Sequence, residues 1–239
     1  MSEKIIVEKL VNLEKDTVIP ALISLKKAQD LNLVYKKLGD MAIACRKLGY
    51  LFDLKDISLK DYAKTAYSDD TLITKVEASF ADFSEEELFS ESFENILEIQ
   101  TKNENFEVEF VSVSNILGET SGNPDGMPPL FVVKYKGCCA DGAVCIIQDN
   151  MLDRIAAELQ NSFWVIPSST DEALILPYVE DLVKEGMQYQ GMLREANASP
   201  DIVPKEKYLS DHVYFYNKMD HRLFMFDEES PTRHAFLAV

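Results

Sequence analysis

The residues best equipped for chemistry lie in one short segment, Pro167–Glu172. It carries two hydroxyls, Ser168 and Ser169, followed by two carboxylates, Asp171 and Glu172. A hydroxyl with an acid–base partner can act as a nucleophile, which is the chemistry of a hydrolase. The same residue types also stabilise turns, because Ser and Asp side chains bond to nearby backbone amides. No Gly-x-Ser-x-Gly elbow accompanies the serines, so turn chemistry is the favoured interpretation.

Three residues further along the chain could assist such a site, namely Asn197, Asp211 and His212. The run Ser210-Asp211-His212 invites comparison with a catalytic triad completed by a serine of the turn. On a strand, however, neighbouring side chains point to opposite faces, so Asp211 cannot orient His212 directly. We therefore expect Asp211 to stabilise a loop rather than to take part in a triad.

The sequence predicts neither a cofactor nor a metal site. It lacks both the Gly-x-x-x-x-Gly-Lys-Ser/Thr and the Gly-x-Gly-x-x-Gly nucleotide-binding motifs. A zinc site needs Cys or His pairs at close spacing, and Cys138, Cys139 and Cys145 have no histidine nearer than His212. We expect these cysteines and Cys45 to be buried thiols that are kept reduced.

Charge is concentrated in one quarter of the chain. The 239 residues hold 41 Asp+Glu against 24 Lys+Arg, a net charge of −17, and residues 68–126 contribute 15 acidic and 2 basic residues of that total. Such a surface can serve solubility alone, attract a cationic ligand, or steer a basic protein towards the chain. For the last case the predicted partner-binding residues are Glu85, Glu86, Glu91 and Glu94.

Several classes of protein are excluded or disfavoured by composition. No apolar run approaches the roughly 18–20 residues of a membrane span. Charges interrupt the segment Met1–Lys9 where a secretory signal would be apolar, so a cytoplasmic location is expected. The excess of negative charge disfavours direct binding to nucleic acid, because the phosphate backbone would be repelled.

The pattern over residues 3–67 predicts helices, because apolar residues recur every three or four positions. Pro20 is expected to separate two helices, and a further apolar stripe runs from Leu31 to Cys45. Ser58 is placed to cap a short helix that ends near Tyr67.

The strongest local signal in the chain is a helix start at Ser84. Glu87 stands three residues later, which forms a capping box, and Phe83 with Leu88 can form a hydrophobic staple. The helix is expected to reach about Ile99. Its glutamate-rich first turn is explained by capping and by the helix dipole, which weakens a purely functional interpretation of those residues.

A domain boundary is predicted at residues 118–129, which contain three glycines and three prolines. Before it, the alternating residues of Asn105–Val113 predict a strand. After it, strands and helices are predicted in this order: a hairpin of Leu130–Tyr135 and Ala143–Ile147, a helix Asn150–Leu159, strands Phe163–Ile166 and Ala173–Leu176, a helix Val179–Glu195, and a hairpin of Val213–Tyr216 and Leu223–Phe226.

Four segments between residues 127 and 226 carry recognisable motifs. They are Leu130–Tyr135 with Gly142-Ala143, the helix residues Leu152, Ile155, Ala156 and Leu159, the run Val165–Pro177, and Glu195 and Asn197 with Leu209–Tyr216. In order and spacing these hundred or so residues resemble a bacterial family of proteins of unknown function whose signature is Pro-Ser-Ser-x-His-Glu.

The resemblance supplies no mechanism, because that family has no established activity. Asp171 stands where the signature has histidine, and Asp titrates near ~4 whereas His titrates near ~6.5. Chemistry that depended on the histidine would therefore be lost or altered here. The resemblance also implies a setting near mobile elements, which favours interaction or counter-defence roles.

The sequence therefore predicts an α+β protein with a helical N-terminal half and a C-terminal antiparallel sheet flanked by helices. Its predicted regions are 1–117, mainly helical and ending in a strand, the linker 118–129, and an α+β domain 130–239. The leading hypothesis is a non-enzymatic acidic protein that binds a basic protein and inhibits a machine that handles nucleic acid. The alternatives are a hydrolase-like enzyme that uses Ser168–Glu172 and a structural or oligomerising module.

Overall fold

The architecture combines two antiparallel sheets with helices, as expected for an α+β protein. The structure is a computed structural model that describes residues 17–48, 59–81, 83–117, 128–138, 140–229 and 235–238. Within these residues a three-stranded sheet has the order β1-β3-β2, and a seven-stranded sheet has the order β10-β9-β8-β6-β7-β5-β4. The strands are β1 Val18–Ser24, β2 Tyr35–Leu38, β3 Met41–Lys47, β4 Val108–Ser112, β5 Phe131–Tyr135, β6 Phe163–Ile166, β7 Ala173–Pro177, β8 Tyr214–Asn217, β9 Arg222–Met225 and β10 Ala235–Ala238.

Seven α-helices connect or cover these strands in the described residues. They are α1 Leu25–Asp30, α2 Leu59–Ala66, α3 Lys75–Phe80, α4 Glu85–Lys102, α5 Val113–Leu117, α6 Met151–Leu159 and α7 Leu182–Asn197. α4 begins at Ser84 with both hydrogen bonds of the capping box, which confirms the predicted helix start. α2 falls within the predicted helix that ends near Tyr67, although its predicted cap, Ser58, lies outside the described residues.

The prediction of helices between residues 18 and 47 was largely wrong, because three strands and only the short helix α1 occupy this segment. Every residue of β1 is buried, and so are all but the last residue of β3. A strand that is buried on both faces gives a continuous apolar run, which periodicity cannot distinguish from a buried helix. Pro20 is tolerated because β1 lies at the edge of its sheet.

One further prediction, the hairpin after residue 130, is corrected by the hydrogen-bonding pattern. Residues Gly142–Ile147 form a 3-10 helical turn instead of the second strand of a hairpin. β5 pairs instead with β4 and β7. The predicted boundary at 118–129 thus falls between two adjacent strands of one sheet, and β4 belongs to the sheet of the following region.

One hydrophobic core continues from the three-stranded sheet to one face of the seven-stranded sheet. It includes Leu22 of β1, Ile96 of α4, Ile155 of α6 and Tyr214 of β8. A second cluster lies on the opposite face of the larger sheet, where α7 packs on Trp164 and its neighbours. These two layers hold the loops that carry the candidate site residues.

Candidate functional site

The exposed side of α4 carries a line of glutamates. Glu87, Glu91, Glu94 and Glu98 are separated by three or four residues, which places them on one side of a helix. The opposite side is buried against β1, where the Asn95 side chain donates a hydrogen bond of 2.9 Å to a backbone carbonyl. The orientation of the helix is therefore fixed, and the glutamates face solvent.

The glutamates of α4 differ in whether they already form hydrogen bonds or ion pairs within the protein. Glu87 belongs to the cap, where hydrogen bonds from Ser84 lower its pKa. Glu98 pairs with Lys102. Among the described residues, however, Glu85, Glu86 and Glu91 receive no hydrogen bond and form no ion pair.

A fourth glutamate, Glu94, accepts only a 3.3 Å hydrogen bond from the Ser90 hydroxyl. We call these four exposed glutamates, Glu85, Glu86, Glu91 and Glu94, the acidic face of α4; Glu91 and Glu94 belong to the line described above, whereas Glu85 and Glu86 lie in the first turn of the helix. All four side chains are exposed. The sequence predicted these residues, and the fold leaves each of them accessible to a partner.

The two hydroxyls of the Ser168–Glu172 turn bind within the turn itself. Ser168 Oγ donates to the backbone carbonyl of Glu172 at 3.1 Å, and Ser169 Oγ accepts from the backbone N–H of Asp171 at 3.1 Å. These are the bonds that the turn-chemistry interpretation predicts. Among the described residues neither hydroxyl is hydrogen-bonded to a base, so neither is set up as an activated nucleophile there.

Asp171 faces away from the two serines and takes part in a separate polar cluster. Its carboxylate accepts a 2.7 Å bond from Lys207 Nζ and bonds of 3.0 Å from the Tyr67 hydroxyl. The Lys207 ammonium also lies 4.7 Å from the centre of the Tyr67 ring. Burial, together with the Asp171 carboxylate, raises the pKa of Tyr67 to about 12. Asp171 therefore links the turn to Tyr67, the residue that directly follows α2.

Glu172 differs from Asp171 because its carboxylate borders a cavity. Burial raises the pKa of this carboxyl, although Lys134 and Lys207 oppose the effect. The cavity has a volume of about 340 Å³ and lies between the turn and α7. A carboxyl with a raised pKa in a concave site is a recognised mark of a functional residue.

Asp211 and His212 both contact Asp40, a residue that sequence reasoning missed, and Asn197 joins them through Asp211. His212 Nδ1 lies 2.9 Å from a carboxylate oxygen of Asp40. Asn197 Nδ2 donates to Asp211 Oδ1 at 2.9 Å and to a neighbouring backbone carbonyl at 2.8 Å. Asp40 contacts the imidazole in this arrangement, and Asp211 and His212 both lie before β8.

Asp40 is the centre of this polar cluster. It also accepts hydrogen bonds from Ser210 Oγ at 2.7 Å and from the Tyr214 hydroxyl at 2.6 Å. Burial opposes ionisation, but the bonds from His212, Tyr214 and Ser210 hold the pKa of Asp40 below its usual value. Because Ser210 is buried and donates to Asp40, its geometry is that of a structural contact and not of a nucleophile.

The position of Asp40 has a signal in the sequence. Gly39 and Asp40 are the two-residue loop between β2 and β3, and Gly-Asp between strands predicts a tight hairpin. Gly39 has a φ of +65°, and a Cβ there would lie 2.4 Å from the Tyr214 hydroxyl. The helical interpretation of this segment concealed the hairpin.

A larger cleft lies between α1 and the loop that follows α7. Its volume is about 910 Å³. The ionisable lining residues other than tyrosines balance in sign: Lys26, Lys27 and Lys205 against Asp30, Asp69 and Glu206. The cleft therefore offers no net charge by which to select an anion or a cation.

Comparison with known proteins gives one match. The model of the Family of unknown function (DUF5688) matches residues 2–218. The chain belongs to this family. No curated protein and no solved structure matches significantly. The expectation of a family of unknown function is thus confirmed at that level, and the match extends well beyond the C-terminal hundred residues.

Three general features complete the description of this DUF5688 member. In the part of the chain that the structure describes, His, Cys, Asp and Glu side chains form no group of three or more that could hold a metal ion. Cys45 and Cys145 are buried free thiols, and Cys138 is also buried, whereas Cys139 lies outside the described residues. No helix among the described residues is both long and apolar enough to cross a bilayer.

The contact of His212 with Asp40 makes a pH-dependent contribution to stability. The hydrogen bond to Asp40 raises the pKa of His212. Its stabilising effect is therefore complete below the unfolded value of about 6.5 and is lost as pH rises through the folded value. We expect His212→Gln to lower the free energy of unfolding by roughly 0.5–1 kcal/mol more at pH 5.5 than at pH 8.5, as measured by urea unfolding.

The effect of Asp40 on His212 can be separated from the effects of the other nearby charged groups. Hydrogen bonds lower the pKa of Asp40 in the folded chain, and Asp211 and Arg194 are the other charges that act on the imidazole. Asp40→Asn should remove the pH dependence of the His212→Gln effect. An equal effect of His212→Gln at both pH values would show that the imidazole gains nothing from Asp40.

Proposed function

We propose that the chain is a non-enzymatic cytoplasmic protein that uses the acidic face of α4 to bind a basic protein. The partner is one whose own ligand is nucleic acid, and the bound chain acts as its inhibitor. The observation that carries this proposal is the exposure of four glutamates, three of which have no cationic or hydrogen-bonding partner among the described residues.

The electrostatics of the acidic face favour association with a cation-rich surface. Residues 68–126 carry a net charge of −13, so the field around α4 attracts a basic protein from a distance. Such attraction raises the association rate and weakens as salt screens it. Leu97, which is 42% exposed on the same helix, adds an apolar contact next to these charges.

The proposal is tested by reversing the charge of the acidic face. The variant Glu85→Lys/Glu86→Lys/Glu91→Lys/Glu94→Lys and the wild-type chain are tagged and used to capture proteins from the lysate of the native host. We expect wild type at low salt to retain a basic nucleic-acid-binding protein, identified by mass spectrometry. The variant should weaken its binding at least tenfold, because several ion pairs of about 0.2–1 kcal/mol each become repulsive.

The chain offers a matched control for this experiment. Glu158, Glu180, Glu195 and Asp201 are also exposed and form no ion pair among the described residues, and they belong to α6, to α7 and to the loops beside α7. Changing all four to Lys alters the net charge equally and should leave capture unchanged. Capture that depends only on net charge, or that survives reversal of the acidic face, contradicts the proposal.

The two alternatives from the sequence receive less support from the geometry. A hydrolase based on Ser168–Glu172 would need an activated hydroxyl, but Ser168 and Ser169 bond within their own turn. An oligomerising module would be favoured by exposed apolar area on the hairpin of β8 and β9. In the described residues of that hairpin, Tyr214, Tyr216 and Leu223 are fully buried, and the exposed large apolar side chain is that of Met219 in the turn, which is a single residue and not an apolar surface.

A further inference from the structure

The cavity beside Glu172 has the shape and lining of a site for a small molecule. Its volume of about 340 Å³ lies at the lower end of the range of ligand pockets, roughly 300–1,000 Å³. We call it the β6–α7 cavity; it is lined by Ile166, Ser168, Ser169, Glu172, Leu174, Tyr189, Met192, Leu193, Ala196, Ile202 and Val203. Met192 and Ile202 are 58% and 66% exposed, so large apolar side chains remain uncovered at its mouth.

The polar groups of the cavity are gathered on the turn, opposite the apolar wall of α7. Ser169 Oγ accepts a bond from the Asp171 backbone, which leaves its own proton free to be donated. The Glu172 carboxylate receives no hydrogen bond from the described residues, although it is partly buried. A ligand that donated to this carboxylate would replace the hydration that burial removes.

Glu172 lies near two lysines but is bonded to neither among the described residues. Lys207 is already paired with Asp171 at 2.7 Å. The charge of Lys134 opposes the rise in the pKa of Glu172, yet the two side chains form no ion pair in the described part of the chain. The Glu172 carboxylate therefore has no bonded cation and can accept a hydrogen bond from an ammonium group.

We propose that the β6–α7 cavity binds a small hydrophobic amine, whose apolar body packs on α7 and whose ammonium group donates to Glu172. The apolar wall selects the body of the ligand, and the carboxylate selects its charged end. This inference is independent of the acidic face of α4, which lies on a different helix.

The test compares n-hexylamine with n-hexanol, because the two probes share a chain length and differ in the head group. Each is titrated into the full chain at pH 7, and binding is followed by methyl NMR of Met192 and by calorimetry. We expect hexylamine to bind about tenfold more tightly than hexanol, since a charged hydrogen bond is added. Each methylene removed from the amine should weaken binding by up to about fourfold.

Variants separate the two parts of the site. Glu172→Gln should abolish the preference for the amine while retaining the hexanol affinity. Met192→Ser should weaken both probes and keep their ratio. Met187→Ser is the matched control, because Met187 is 52% exposed on α7 but does not line the cavity.

Three results would overturn the proposal. They are equal affinity of the wild-type chain for both probes, an amine preference that survives in Glu172→Gln, and the absence of any saturable shift of the Met192 methyl group. The quadruple Lys variant of α4 should bind hexylamine as wild type does. A negative result for ligand binding in the cavity is thus distinguishable from a negative result for partner binding by the acidic face.

Discussion

Replacing Asp141 by Asn should lower the free energy of unfolding by about 3–5 kcal/mol. Asp141 Oδ2 lies 3.0 Å from Nε of Arg46, and both side chains are almost completely buried, with 2% and 3% exposed. Removing one charge leaves the other in a medium that solvates it poorly. That uncompensated charge, more than the lost attraction, makes the substitution costly.

Hydrogen bonds hold the guanidinium group of Arg46 in the interior of the protein. Its Nη1 donates to the carbonyls of Thr65 and Ser68 at 2.9 and 3.0 Å, and to Thr71 Oγ1 at 2.6 Å. These contacts fix the guanidinium between β3 and the segment that follows α2. Burial raises the pKa of Asp141, although the charge of Arg46 opposes the rise. The raised pKa reflects the cost of removing the carboxylate from water.

Asn is a suitable replacement because Asp141 has a φ of 53°, and Asn tolerates this left-handed conformation. The substitution therefore removes the charge with little backbone strain. Urea unfolding of Asp141→Asn, Arg46→Met and the double variant gives the coupling energy of the pair. We expect the double variant to be clearly less destabilised than the sum of the single variants. A loss below about 1 kcal/mol for Asp141→Asn would contradict a buried ion pair.

Replacing Glu185 by Ala should lower the free energy of unfolding by roughly 2–4 kcal/mol, because one buried carboxylate satisfies several donors. It accepts from Trp164 Nε1 at 2.9 Å and from the backbone N–H groups of Glu180 at 2.9 Å and Asp181 at 3.2 Å. A longer bond of 3.3 Å comes from Val179. Without the carboxylate, the indole N–H is left in the core with no acceptor.

This second effect can be followed at the site itself. Trp164 is the single tryptophan of the chain and is fully buried. Intrinsic fluorescence therefore reports its environment, and we expect unfolding of Glu185→Ala at lower urea together with a shifted emission of the folded form. Glu185→Gln keeps one acceptor oxygen and should lose about half as much stability.

Glu195→Ala provides the control, since this glutamate is exposed on the same helix. It should change stability by less than about 0.5 kcal/mol. An effect of Glu185→Ala equal to that of Glu195→Ala would mean that solvent replaces every bond the carboxylate makes.

Some elements follow from local signals alone. The capping box of Ser84 and Glu87 fixes the start of α4, because its bonds join residues three apart in sequence. β6, β7, α7 and the hairpin of β8 and β9 also lie where the sequence predicts them, within a few residues. The turn bonds of Ser168 and Ser169 belong to the same class, since their partners are at most four residues away.

Other elements depend on what packs against them. β1 and β3 are continuous apolar runs because α4 and the adjoining layers bury both of their faces, which removes the alternation that marks a strand. The segment Gly142–Ile147 is likewise buried almost throughout and forms a 3-10 turn. Periodicity cannot assign such segments, because it records exposure to solvent and these residues have almost none.

The sequence by itself determined the acidity of α4, the residues that cap it, the turn that holds Ser168 and Ser169, and the resemblance to a family of unknown function. The tertiary structure alone decided the partners of Asp171, the approach of Asp40 to His212 and the opening of a cavity beside Glu172. The physical reason is how far apart in the sequence the contacting residues lie. Caps and turns are bonds between near neighbours in the chain, whereas the Asp40–His212 contact joins residues 172 positions apart and exists only after the two sheets have packed.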